Sequence, residues 1–213
     1  MKPLRFIHIA KTGGQAISMV AKEQAGLSWG GRDIEYGFGR TCHRLLSDIE
    51  NPEIIDKHDW FMVIRNPYER IISHYNWYIK ESKKTIGINE YLHHKLENGI
   101  NQYLEQKIEY FDIQNTYHYN SHFTAQHLYL EYPCNIRVLR YENLENEFNA
   151  LMKEYGYTIV LNRKVNVSVK TAFLSDLTLE TIELINRVYE KDFTTFGYEM
   201  IHDIFKLNGN KIV

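Results

Sequence analysis

Three short apolar segments, each running into a turn and then a helix-prone stretch, constrain this chain more than anything else in it. Leu4 to Ala10 (LRFIHIA) is β-branched and aromatic and leads into Lys11-Thr12-Gly13-Gly14, after which Gln15 to Gln24 has helical character. Asp59 to Ile64 (DWFMVI) ends at Arg65-Asn66-Pro67. There Asn66 is a good N-cap, Pro67 a good first helical residue and Glu69 an acid for the first turn. Asn135 to Arg140 leads into a helix predicted from Glu142 to Tyr155. Strands alternating with helices predict an α/β fold with a central parallel sheet flanked by helices, because parallel neighbours need crossover connections. In such sheets ligands sit at the carboxyl ends of the strands, and Lys11 and Arg65 occupy two of those ends.

Between these units the pattern is helical or irregular. Pro67 to about Lys83 places Tyr68, Ile71, Ile72, Tyr75 and Tyr78 on one face, and Ile88 to Ile108 predicts one or two more helices. Residues 26 to 41 carry five glycines and read as a loop before a short helix from about Thr41 to Ile49; Thr124 to Glu131 reads as another short helix. Residues 156 to 177 are irregular, and Thr178 caps an amphipathic helix expected to run to about Lys191. No repeat or linker divides the 213 residues, so a single domain over 1–213 is expected.

Charge narrows the partners. Lysine and arginine number 25 against 27 acids, a net charge of −2. Nucleic-acid and anionic-membrane binders need a basic excess, so neither partner is expected. The longest apolar run, Trp60 to Ile64, is far below the roughly 20 residues needed to cross a bilayer, so no membrane span is predicted. No signal-peptide core is visible either. Two cysteines, Cys42 and Cys134, without CxxC spacing suit a reducing compartment. The expected location is therefore cytoplasmic, the alternative being a Golgi lumenal piece trimmed of its stem.

Lys11-Thr12-Gly13-Gly14 has the makings of an anion turn. Its glycines let backbone N–H groups face inward, and the next helix begins with its positive dipole end toward them. The competing reading is a plain tight turn. The Walker A order is absent, since lysine precedes the glycines, which disfavours an ordinary nucleotide-triphosphate loop and a kinase. Arg65 offers a planar fork for phosphate, and Ser73, two turns into the next helix, a neutral donor. The alternatives are a salt bridge to a helix acid for Arg65 and an ordinary surface hydroxyl for Ser73.

The segments F6-I-H-I-A-K-T-G-G-Q-A-I17, V63-I-R-N-P-Y-E-R-I-I-S-H-Y75, S121-H-F-T-A-Q-H-L-Y-L130, V138-L-R-Y-E-N-L144 and V188-Y-E-K-D-F-T-T-F-G-Y198 occur in order along nearly the whole chain. Together they resemble the carbohydrate sulfotransferases that use 3′-phosphoadenosine 5′-phosphosulfate (PAPS). The resemblance implies the sulfotransferase fold, which is similar to that of P-loop NTPases. It also implies a sulfuryl transfer enzyme acting on a carbohydrate or other hydroxyl acceptor, with PAPS as co-substrate and PAP as product. By resemblance, Lys11, Thr12, Gly13, Gly14, Gln15, Ala16 and Ile17 form the 5′-phosphosulfate loop, and Arg65 with Ser73 holds the 3′-phosphate. Gln15 and Ala16 depart from the family, which usually carries hydroxyl residues there. A noncatalytic PAP- or glycan-binding module is therefore the alternative.

Sulfuryl transfer also needs a group at the leaving phosphate oxygen and a base for the acceptor hydroxyl. Lys11 suits the first role. His43, in R40-T-C-H-R-L-L46, is the candidate base, since imidazole titrates near neutrality and the 2-O-sulfotransferase branch has a histidine in a similar stretch. Ser168 and Lys170, with Asn166, lie where the family closes a loop over the nucleotide. His122 and Gln126 fall in a segment the family places near the acceptor. His118, His122 and His127 lack a standard zinc pattern, and no metal is expected.

Overall fold

The computed structural model describes residues 1–29, 43, 45–48, 52–105, 121–162 and 170–203. In chain order its elements are β1 (Leu4–Ile7), α1 (Gly14–Ala25), α2 (Pro52–Asp56), β2 (Asp59–Ile64), α3 (Pro67–Ser82), α4 (Ile88–Glu105), β3 (Ile136–Arg140), α5 (Leu144–Glu154), α6 (Leu179–Val188) and α7 (Glu190–Phe196). The fold is α/β. Among the described residues the strands form one parallel sheet in the order β1-β2-β3, with Phe6 beside Phe61, Trp60 beside Ile136 and Ile64 beside Arg140.

The chain divides into two compact units, Met1–Arg65 with Gln126–Val167, and Asn66–Ala125 with Ser168–Val213. The first holds the sheet. Phe61 and Val63, alternate residues of β2, share a buried cluster with Phe6 of β1, Ile17 and Val20 of α1, and Phe148 and Leu151 of α5. This is the apolar face that strand alternation predicts. β1 stops at Ile7 instead of reaching Ala10. Lys11 is left-handed (φ 67°) and the Thr12 hydroxyl donates to the Ile9 carbonyl at 2.9 Å, so residues 8 to 13 coil into the turn that starts α1.

The second unit is helical. Asn66 caps α3 through its side-chain oxygen, which accepts from the Tyr68 and Glu69 N–H groups at 3.0 and 3.5 Å, with Pro67 as the first helical residue. Tyr68, Ile71, Ile72 and Tyr75 of α3 cluster with Tyr91 and Leu92 of α4 and Ile182 and Ile185 of α6. The helix predicted from Thr178 to Lys191 is broken at Tyr189 into α6 and α7. Thr124 to Glu131 is not an α-helix but holds a 3₁₀ turn, Gln126–Leu130, which another at Ser121–Phe123 precedes. Of the short helix expected over 41–49, the described part is a 3₁₀ turn, Leu46–Asp48. No described helix is long and apolar enough to cross a membrane.

Candidate active site

All three strands are parallel, so the residues just past their carboxyl ends meet at one edge of the sheet. After β1 comes the turn His8 to Gly13, where Lys11 and Gly13 are both left-handed (φ 67° and 86°). Such a conformation costs a non-glycine residue about 1 kcal/mol or more, and Lys11 bears that strain at the mouth of the turn. Thr12 is fully buried with its hydroxyl donating to the Ile9 carbonyl, so its side chain shapes the turn. The N–H of Ala16 donates to the Gly13 carbonyl at 3.0 Å. α1 begins at Gly14, and the first N–H groups of a helix have no intrahelical acceptor.

After β2 comes Arg65, almost wholly buried. Its Nη1 donates to the Lys11 carbonyl at 3.3 Å, and its guanidinium carbon lies 4.2 Å from the centre of the Tyr141 ring. Tyr141 is the first residue after β3, and its ring also abuts Gly13. The Arg65 backbone is fixed by the fully buried Gln126: the Arg65 N–H donates to Gln126 Oε1 and Gln126 Nε2 donates to the Arg65 carbonyl, both at 2.9 Å. Gln126 thus continues the ladder where strand pairing stops. Cation–π stacking of this kind is worth roughly 0.5 to 2 kcal/mol and holds the guanidinium plane in one orientation.

His43 sits at the same edge. Its Nδ1 lies 2.8 Å from the His8 carbonyl, and its own carbonyl accepts from the Tyr129 hydroxyl at 3.0 Å. A carbonyl oxygen can only accept, so Nδ1 carries the proton and the lone pair of the neutral ring is on Nε2. The His8 ring meets the His43 ring edge to face, with centroids 4.7 Å apart.

A family model described as the sulfotransferase family matches residues 38–199, more than half of the chain. The chain belongs to the sulfotransferase family. The span matched in this sulfotransferase contains His43, Arg65 and Tyr141 and begins after the Lys11 to Gly14 turn. Transfer of a sulfuryl group is the activity that membership supports. No curated protein and no solved structure matches the chain.

The structure thus brings Lys11, Gly13, His43 and Arg65 of the sulfotransferase to one edge of the sheet. Gly14 starts α1, Gln15 presents an exposed side chain, and Ala16 and Ile17 are buried in the core of the first unit. Only Gln15 of those last three offers a side chain to a ligand. Ser73 lies half-buried on α3 in the second unit. Lys170, also in the second unit, is exposed, with its Nζ 6.0 Å from the Phe173 ring. Ser168, Asn166 and His118 lie outside the described residues. His122 belongs to the second unit, where its Nδ1 is 3.0 Å from Nδ1 of His74.

Sequence analysis gave neither His8 nor Tyr141 a role at the site. The available signal was position, since each follows a strand just as Arg65 does. Gly13 carries a direct test. A Cβ there would come within 3.0 Å of Leu144 and 3.1 Å of Tyr141, at a backbone angle that disfavours any side chain. Gly13→Ala is expected to cost about 1 to 3 kcal/mol in urea denaturation, combining left-handed strain with displacement of the Tyr141 ring. An unchanged midpoint would show that the ring does not pack there.

Proposed function

We propose that residues 1–213 act as one sulfotransferase-like domain that moves a sulfuryl group from PAPS to a hydroxyl of a carbohydrate acceptor. The observation that carries this reading is the 3.3 Å hydrogen bond from Arg65 to the Lys11 carbonyl, which joins two cationic strand-end turns. A donor charged at both ends, by a phosphosulfate and a 3′-phosphate, suits such a pair. The turn before α1 fits the first of these groups, with two glycine N–H groups and the positive end of a helix dipole.

When bound, PAPS supplies the activated sulfuryl group. Lys11 places positive charge where the leaving phosphate oxygen gains its negative charge, a contribution on the order of 3 kcal/mol for a well-placed donor. His43 takes the acceptor proton at Nε2, and the imidazolium that results is stabilised by its Nδ1–H bond to the His8 carbonyl. Arg65 keeps its guanidinium plane fixed against Tyr141 and grips phosphate through its remaining donors. A second reading, a PAP- or glycan-binding module without chemistry, is favoured by one feature: Thr12 engages its hydroxyl with Ile9, and positions 15 and 16 have none.

Calorimetry with PAP and transfer of labelled PAPS onto a glycan panel test the two readings. Arg65→Ala is expected to weaken PAP binding about 10- to 100-fold, the value of a charge-assisted phosphate contact. PAP binding without transfer to any hydroxyl acceptor would favour the module. ATP binding tighter than PAP with phosphate transfer would overturn both readings.

A further inference from the structure

Gly14 has an ordinary helical backbone and sits at the first position of α1, where alanine is the better helix former. Nothing in the chain path calls for glycine there. The His8 side chain does. A Cβ at position 14 would lie 2.1 Å from His8 Cδ2 and 2.2 Å from His8 Nε2, so the imidazole occupies the space a methyl group would take. The ring has no easy retreat, because it stacks on Phe6 at 5.5 Å and meets the His43 ring at 4.7 Å.

The His8 backbone is equally engaged. Its carbonyl accepts from His43 Nδ1 at 2.8 Å, and it follows directly on β1, whose four residues are paired with Asp59 to Met62. The acceptor that selects the His43 tautomer is therefore fixed by the sheet. A hydrogen bond of this kind strengthens when the ring takes a second proton, since charged donors bond more strongly than neutral ones.

We propose that His8 is a positioning residue for His43, its carbonyl selecting the tautomer and its ring, seated in the space left by Gly14, setting the orientation of the His43 imidazole. The catalytic meaning of this pair rests on the reading of His43 as the base; the packing does not. His8 touches neither donor nor acceptor in this account. It acts through its neighbour, as outer groups do when they orient a histidine through its second nitrogen.

Two measurements test the pair without any substrate. The first is a thermal-stability cycle. Gly14→Ala should lower the melting temperature in the wild-type background, because its methyl group evicts the His8 ring. In the His8→Ala background the same change should raise it by about 2 to 4 °C, as expected of alanine replacing glycine in a helix of a chain this size. The second is nitrogen-15 imidazole NMR. Wild type and His8→Phe should show His43 as a single tautomer protonated at Nδ1, whereas His8→Ala, which keeps the carbonyl but lets the His43 ring turn away from it, should show mixed tautomers. If Gly14→Ala has the same effect in both backgrounds, or if His8→Ala retains the single Nδ1–H signal, the proposal is overturned. In the transfer assay, His8→Ala should lower kcat about 10- to 100-fold without changing PAP affinity, and His8→Phe should recover part of the loss. Absence of transfer by the wild type, with the cycle and the spectra as expected, would reject the enzymatic reading and leave the packing intact. An equal kcat in wild type and His8→Ala would overturn the positioning role itself.

Discussion

His43→Ala is expected to lower sulfuryl transfer by about 10²- to 10⁴-fold, the usual worth of a positioned general base, while PAP affinity stays within about threefold. The division follows from where His43 is held. Its carbonyl is fixed by the Tyr129 hydroxyl and its Nδ1 by the His8 carbonyl, so the nitrogen that can take a proton is Nε2. The groups assigned to PAP, the Lys11 turn and the Arg65 fork, are joined to each other by their own hydrogen bond. Removing the imidazole therefore deletes a proton acceptor and leaves the phosphate grip standing. His43→Asn is the sharper control, since its amide nitrogen takes the place of Nδ1 and can still donate to the His8 carbonyl but cannot act as a base at neutral pH. Both variants should lose turnover alike. If either keeps more than a tenth of the wild-type kcat, the proton goes to another group.

What could be read in the sequence was local. β2 is a run of six apolar-rich residues with a capping asparagine and a proline behind it, and the structure returns the same strand, cap and helix. The Lys11 to Gly14 turn was legible because two glycines between a strand and a helix leave few alternatives. The site was legible only in pieces. Arg65 meets Lys11 across 54 positions of sequence, Gln126 clamps Arg65 across 61, and His43 reaches His8 across 35. A single sequence records each partner without recording the pairing. α2 escaped notice because five residues give no periodicity; its place is fixed from outside by the Trp60 indole, which donates to the Ile55 carbonyl. The break between α6 and α7 was illegible for a related reason. The apolar spacing continues through Tyr189, but the Tyr189 hydroxyl is committed to the Phe123 carbonyl at 2.9 Å.

That commitment belongs to a second network, and Arg70→Ala is expected to destabilise the protein by about 3 to 5 kcal/mol through it. Arg70, in the motif R65-N-P-Y-E-R70, is fully buried on α3. Its Nη1 donates to the His122 carbonyl at 3.2 Å and its Nη2 to the Thr124 carbonyl at 2.9 Å, with the guanidinium 5.4 Å from the Tyr189 ring centre. Tyr189 takes the carbonyl between those two, so three consecutive carbonyls of a segment with little regular structure are all satisfied by side chains. Burial pushes the Tyr189 phenol above its ordinary range; Arg70 acts against that shift and the buried Asp192 with it, so the hydroxyl keeps its proton and remains a donor. Alanine at 70 would strand two buried carbonyls at about 1 to 3 kcal/mol each and leave a cavity besides. Lysine can reach one carbonyl but cannot span both, because its donors radiate from a single nitrogen. Arg70→Lys should therefore recover only part of the loss. The comparison is made by urea denaturation, where a lowered midpoint at unchanged slope reports stability alone. Both variants falling within 1 kcal/mol of wild type would mean that water reaches those carbonyls when the arginine is gone.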